Sequence, residues 1–270
     1  MRFTLSSTAL SSKLFALAKV ISNKNSLPIL ADFMFRTEGN TLFITASDSE
    51  NSMTTTIELS DSDIDDSFAI ENHSLLEAVK SFPEQPLTFE ADKNDKIVKI
   101  IYQNGQFSLP IESADVYPVA AKIADIAVSI QLSSALLSEN ISRCLCATAQ
   151  DELRPVMNGV FFDITPEYLT IVSTDGHKLV RNRIYDIKND VAASLILAKK
   201  PATILKNMLA KDDTLVTITF DNRNAEVTFG DTRLLCRLID GRYPNYNSVI
   251  PQNNQNVLHV DRETLLGALK

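Results

Sequence analysis

FTLSSTALSSKLFAL (residues 3–17) returns 127 positions later as IQLSSALLSENISRC (residues 130–144). At that shift Phe3 falls on Ile130, Leu5 on Leu132, Ser6 and Ser7 on Ser133 and Ser134, Leu10 on Leu137, Leu14 on Ile141 and Leu17 on Cys144. The register runs on without a gap through Pro28/Pro155, Phe33/Val160, Phe35/Phe162, Leu42/Leu169, Ile44/Ile171 and Asp48/Asp175. It drifts by one residue at Tyr117-Pro118, which matches Tyr243-Pro244. Self-similarity held this long marks a duplicated structural unit rather than chance.

A shorter period of 65 lies inside each copy: Phe3 meets Phe68, Leu5 Ile70, Leu10 Leu75, Leu14 Val79 and Leu17 Phe82. The second copy repeats it more weakly, with Ile130 on Leu195 and Leu132 on Leu197, and Lys206 breaks it opposite Ile141. A third copy opens at a shift of 255, where Leu258, Val260, Leu265 and Leu269 take the places of Phe3, Leu5, Leu10 and Leu14. The expectation is two complete domains, 1–122 and 123–253, and the start of an incomplete third at 254–270, cut within its helix. The alternative is a C-terminal helix that merely resembles the others.

Each half-unit opens on a short alternating run such as Arg2-Phe3-Thr4-Leu5, which reads as a strand. Leu10, Leu14, Leu17 and Ile21 then fall on one helical stripe, with Ser6, Ser7 or Thr8 able to cap its free N–H groups. Strand patterns follow at 32–36, 41–46 and 53–59, with Glu38-Gly39-Asn40 as a turn. The second half repeats the order: a strand at 68–70, a helix near 74–82, and strands at 87–90, 96–102 and 106–111. The fold class is therefore α+β. Each domain is two β-α-β-β-β units, with two amphipathic helices on the inner face and antiparallel sheets outside.

Composition excludes several functions. Glycine occurs only 7 times in 270 residues, where average usage of about 7% would give roughly 19. Neither G-x-G-x-x-G nor a P-loop is present, so nucleotide-binding folds lose their support. Three cysteines, Cys144, Cys146 and Cys236, suit free thiols in a reducing compartment, and no signal peptide or membrane-length apolar run is seen, which together lead to a cytoplasmic expectation.

The net charge of −8 argues against bulk electrostatic binding of nucleic acid, but it is segregated. The four expected helices with their ends (8–24, 72–82, 135–149 and 199–211) carry nine basic residues: Lys13, Lys19, Lys24, Lys80, Arg143, Lys199, Lys200, Lys206 and Lys211. Their acids are only Glu77 and Glu139, while the rest of the chain holds 17 basic and 32 acidic residues. Helix propensity favours Glu as much as Lys, so propensity does not explain the bias. Scattered lysines suit phosphate neutralisation without base readout.

Local motifs agree with this pattern. Leu27-Pro28-Ile29-Leu30, Arg154-Pro155-Val156-Met157-Asn158-Gly159-Val160, Thr174-Asp175-Gly176-His177-Lys178-Leu179 and Asp240-Gly241-Arg242-Tyr243-Pro244-Asn245-Tyr246 resemble segments of the bacterial DNA polymerase III beta subunit family, the DNA sliding clamps. The resemblance spans the chain. It implies a ring of two protomers and six domains, closed head to tail around double-stranded DNA as the processivity factor of the replicative polymerase. It implies no catalysis, no cofactor and no metal.

Carried over residue by residue, the resemblance puts the second-domain side of a cleft for short hydrophobic peptides at Met157, Thr174, Gly176, His177, Lys178, Leu179, Pro244 and Val249. Polymerase and clamp loader would bind there. Lys178 stands where Arg is commoner, Ser248 where some members have Arg, and Pro155 and Val156 where the family has an aromatic pair. The cleft's other side would come from a third domain, so weaker peptide binding is expected of these 270 residues. DNA contacts carry over to Lys24 and Gln150. The edge strand carrying Phe107 and Leu109 would meet the third domain of the other protomer, without which that ring does not close.

Other chemistry finds little support. His177 beside Asp175 lacks a nucleophile elbow, and Asp175-Gly176 reads more simply as a turn. Cys144-x-Cys146 places two side chains on different helix faces, and His73, His177 and His259 have no ligand spacing. The competing non-enzyme reading is a repeat scaffold that binds peptides without DNA.

Overall fold

The computed structural model describes residues 1–22, 24, 25, 27–125 and 127–270. Element order follows the duplication. The first half runs β1 (Arg2–Ser6), α1 (Ser7–Leu17), β2 (Asp32–Glu38), β3 (Thr41–Ser47), β4 (Asn51–Glu58), a two-residue β5 (Asp61–Ser62), β6 (Ser67–Glu71), α2 (Asn72–Val79), β7 (Pro86–Asp92), β8 (Ile97–Tyr102) and β9 (Gly105–Ser113). The second runs β10 (Val128–Ser133), α3 (Ser134–Leu145), β11 (Gly159–Ile164), β12 (Leu169–Thr174), β13 (Leu179–Ile184), β14 (Ala193–Ala198), α4 (Lys199–Met208), β15 (Leu215–Phe220), β16 (Asn224–Phe229) and β17 (Thr232–Arg237). A last helix, α5 (Arg262–Leu269), follows.

Every ladder is antiparallel. Alternation decides which face each strand buries. In β1, Phe3 and Leu5 point into the core, where Phe3 stacks on Phe89 of β7 with ring centroids 5.0 Å apart. Phe35 of β2 stacks on Phe68 of β6 at 5.4 Å. The α1 stripe Leu10, Leu14 and Leu17 is fully buried beneath these rings, and Leu137, Ile141 and Cys144 of α3 fill the equivalent place. Ser6 caps α1 by accepting from the Ala9 N–H at 3.2 Å, and Ser133 caps α3 through the Leu136 N–H at 3.3 Å.

All four helices are shorter than their charge-bearing segments suggested. α1 stops at Leu17, not near residue 24, because Val20 and Lys19 donate three residues back, to Leu17 and Ala16. The β-branched pair Val20-Ile21 favours leaving the helix. Val20 then takes the buried position, and Ile21 is not on the helical stripe. Lys19, Lys24, Gln150 and Lys211 consequently sit beyond helix ends, and Lys80 is the C-cap of α2.

The two halves share one sheet of 13 strands, ordered β10-β15-β16-β17-β4-β3-β2-β6-β9-β8-β7-β1-β5. The seam is β17 on β4, from Thr232↔Thr55 to Cys236↔Asn51. A separate sheet β13-β12-β11-β14 covers the other side of the second half, touching the first sheet at the bridge Leu197↔Leu238. The helices pack in pairs against the inner faces, α1 with α2 and α3 with α4. Residues 251–270 are exposed throughout, including Leu258, Val260 and Leu265.

Candidate nucleic-acid and peptide interfaces

The helix pairs meet across the seam. Lys200, at the start of α4, donates to the Val20 carbonyl after α1 and to Asp48 Oδ2 in the β3–β4 turn, each at 2.5 Å. Lys13 of α1 pairs with Asp231 in the β16–β17 turn, where Thr55 and Thr232 also donate to the carboxylate. These contacts tie each helix pair, α1 with α2 and α3 with α4, to the other half of the chain. A recess of about 410 Å³ lies between α4 and the segment after α1, lined by Lys19, Lys199, Lys200, Thr203, Ile204 and Asn207.

Of the ten residues expected to face nucleic acid, four have their charge engaged. Lys13 and Lys200 bridge the seam, Lys80 pairs with Glu77 at 3.4 Å, and Arg143 with Glu139 at 2.5 Å. Among the described residues Lys19, Lys24, Lys199, Lys206 and Lys211 carry no ion pair. All but Lys199 are exposed, as is uncharged Gln150. The two seam carboxylates respond to their partners. Burial alone pushes Asp48 and Asp231 up, but Lys200 with Asn51, and Lys13 with Thr232 and Thr55, more than offset it and hold both below the usual carboxylate value.

On the outer face of the β13-β12-β11-β14 sheet, residues 239–250 pack over an aromatic cluster, and Leu179, one of the residues expected in the peptide cleft, lies at its edge. Phe161 of β11 stacks face to face on Tyr243, centroids 4.5 Å apart, and meets Tyr246 edge-on at 6.3 Å. Tyr246 donates to Asp163 at 2.7 Å. Val172, Ile196, Tyr243 and Tyr246 are the buried centre of this cluster, with Val156, Leu179 and Ile250 at its rim. Burial pushes both Tyr243 and Tyr246 up to about 12, so both phenols stay neutral at physiological pH.

Met157 and Gly176 come together. A Cβ on Gly176 would lie 3.8 Å from Met157 Cε and 3.2 Å from Arg154 Nη1, and Gly176 has φ +89°, which favours glycine. Thr174 Oγ1 donates to the Lys178 carbonyl and accepts the Gly176 N–H, while Asp175 Oδ1 accepts the His177 and Lys178 N–H groups. His177 and Lys178 are exposed on this turn. Pro244 and Val249 are exposed on the crossing segment, and Leu179 lies beneath it at the edge of the aromatic cluster. The sequence reading did not name Phe161, Asp163 or Asp151, and it quoted Tyr246 and Arg154 only within motifs, although Arg154 pairs with Asp151 at 2.7 Å. The motif around Tyr243 was visible, but its stacking partner lies 82 residues away on β11.

Phe107 and Leu109 lie on β9, whose first part is paired on one side only. Among the described residues there is no cluster of three potential metal ligands, and no helix is long and apolar enough to cross a membrane.

Comparison with known proteins gives one answer throughout. Residues 1–121 match the family described as DNA polymerase III beta subunit, N-terminal domain, and residues 131–245 match its central domain. The beta sliding clamp of Bacillus subtilis is 26% identical over all of this chain and 73% of its own length. That of Haemophilus influenzae is 27% identical over 98% of this chain and 72% of its own length. The crystal structure of the Bacillus subtilis DNA polymerase sliding clamp superimposes with a TM-score of 0.87 at 26% identity, over 94% of this chain and 68% of that one. The Helicobacter pylori beta clamp bound to a DNA ligase peptide superimposes with a TM-score of 0.83 at 20% identity, over 94% of this chain and 70% of that one.

Proposed function

The chain belongs to the DNA polymerase III beta subunit family, the beta sliding clamps, and from that premise we propose that its helix face lies against duplex DNA without reading its sequence. The observation that carries this is five lysines without ion pairs, Lys199 and Lys206 on α4 and Lys19, Lys24 and Lys211 beyond the ends of α1 and α4, on a chain whose net charge elsewhere is acidic. Mobile ammonium groups satisfy phosphates at any register, so no site holds the ring and it slides. Retention then comes from closure around the duplex. The complete protein acts as a head-to-tail homodimer in the cytoplasm, tethers polymerase and clamp loader, and does no chemistry. Within it residues 1–122 and 123–253 form the first and second clamp domains, and 254–270 begin a third.

The test is the salt dependence of binding to short duplexes of unrelated sequence. Charge reversal of Lys19, Lys24 and Lys199 leaves both seam ion pairs intact. It should weaken binding to every duplex alike and flatten the slope of log K against log salt by roughly 0.9 per lost phosphate contact. An unchanged slope would favour the scaffold that binds peptides and never meets DNA.

The cleft over Phe161 and Tyr243 accepts short hydrophobic peptides, each buried Leu or Phe side chain supplying about 1.5–3 kcal/mol. Two or three such anchors, less the ordering cost, give roughly micromolar affinity. The Helicobacter pylori clamp carries a ligase peptide, which supports this reading. Met157→Asp should abolish peptide binding by fluorescence anisotropy while leaving the DNA salt slope as it was.

A further inference from the structure

The seam between the halves carries its own version of the turn expected in the peptide cleft. At the 127-residue shift Thr174, Gly176, His177, Lys178 and Leu179 become Ser47, Ser49, Glu50, Asn51 and Ser52. The correspondence extends to the bonds. Ser47 Oγ donates to the Asn51 carbonyl and accepts the Ser49 N–H, as Thr174 Oγ1 does with Lys178 and Gly176. Asp48 Oδ1 accepts the Glu50 and Asn51 N–H groups, as Asp175 Oδ1 accepts those of His177 and Lys178. Ser49 has φ +79° where Gly176 has φ +89°, so the turn is kept in a region that serine seldom enters.

This turn borders a cavity of about 770 Å³ whose walls both belong to the described residues. One wall is the turn and the start of β4, and the other is the β15–β16 turn and the end of β17. Residues 118–121 edge it as a strap. The strap is held at Tyr117, whose hydroxyl donates to the Asp32 carbonyl, and at Ala124, whose N–H donates to Asp221 Oδ2. Between those anchors residues 118–123 make no backbone hydrogen bond among the described residues, which leaves their peptide groups open to a ligand.

The lining is polar and carries arginine. Arg223 and Arg237 are neighbours across the Asn224↔Arg237 pair, and neither forms an ion pair among the described residues. Asp221 beside Arg223 spends its oxygens on the N–H groups of Ala124, Arg223 and Asn224. Glu50 and Asp240 also line the cavity, so the lining is neutral in sum and disfavours a polyanion. A single carboxylate suits the two guanidinium forks, and Asn222, Asn224 and Ser52 offer donors and acceptors to the peptide groups on either side of it. We propose that the seam cavity is a second peptide site, which takes an extended segment carrying one acidic side chain. The class of ligand rests on the peptide-cleft reading, but the residues are separate from Met157 and its neighbours.

The probe is the peptide acetyl-Ala-Asn-Glu-Asn-Ala-amide, titrated into the isotope-labelled 270-residue chain and followed by amide NMR shifts. The amides of Ser49, Ser52, Arg223 and Arg237 should shift and saturate with a Kd on the order of 0.1–1 mM. Replacing the peptide's Glu by Gln should weaken binding by about tenfold or more, and so should Arg223→Gln combined with Arg237→Gln. Both arginines are exposed, and an unaltered amide spectrum away from the cavity would show that the double variant is folded. Met157→Asp should leave this titration as it was, so a failure of the hydrophobic cleft and a failure of the seam site read out separately. The proposal is overturned if those amides do not shift, if the Gln peptide binds equally well or if the double variant binds as the unaltered chain does. It is also overturned if sodium acetate at the same concentration gives the same shifts, which would mark an anion site only.

Discussion

Asp32 and Glu71 stand directly opposite each other across the β2·β6 ladder. Burial, then the like charges of Glu71 and Glu112, push the Asp32 carboxyl up to about 6. A carboxyl whose folded value exceeds its unfolded one costs stability when ionised, so the native chain gains stability as pH falls from about 6 towards 4. Asp32→Asn is expected to raise stability by on the order of 1–2 kcal/mol at pH 8, with the gain shrinking near pH 4, as read by urea denaturation. Gly159 poses the opposite constraint. A Cβ there would lie 2.6 Å from the Leu197 carbonyl oxygen, a backbone atom of the paired strand β14. Gly159→Ala should cost about 1–3 kcal/mol and lower the melting temperature. Neither residue could be singled out from sequence: the Asp32 environment depends on positions 39 and 80 residues on, and Gly159 lies mid-motif with ordinary φ.

Elements were more legible than their ends. The Leu10, Leu14 and Leu17 stripe, the Gly39 turn and the alternating strands follow from periodicity, and the structure keeps them. Helix ends did not follow, because Val20 is satisfied by tertiary burial that periodicity does not carry. The seam was hidden for a related reason. Lys13 reaches Asp231 across 218 residues and Lys200 reaches Asp48 across 152, so lysines that read as ligands for phosphate are partly taken up in tying each helix to a β-turn of the other half. Lys200→Met should destabilise the chain by about 1–2 kcal/mol at neutral pH. Asp48 is held below its unfolded value, so its contribution is present above about pH 4 and is lost as pH falls through the folded value. The difference between Lys200→Met and the unaltered chain should therefore close in acid, as followed by thermal melts over a pH series.

At the scale of the whole molecule the duplication is the most readable fact, since identical packing problems recur at a fixed spacing. The candidate cleft was readable only in part. Its turn residues carry a signature, whereas the neighbouring aromatic cluster of Phe161, Tyr243 and Tyr246 is set by a segment folding back over a sheet. Tyr246→Phe should leave the stack in place but free the 239–250 segment from Asp163, giving faster amide exchange there and weaker peptide binding with global stability changed by about 1 kcal/mol or less.

The continuous β17·β4 ladder also sets how the two halves bear load. Its strands run side by side, so a pull along them stretches the whole row of bonds in parallel, and none gives way until nearly all do. A twist that peels one strand from its neighbour instead loads the bonds in turn, and the Lys13–Asp231 and Lys200–Asp48 pairs cross the join where such peeling would show. The ladder thus resists sliding of one half past the other, and peeling is opposed first where those two ion pairs cross it.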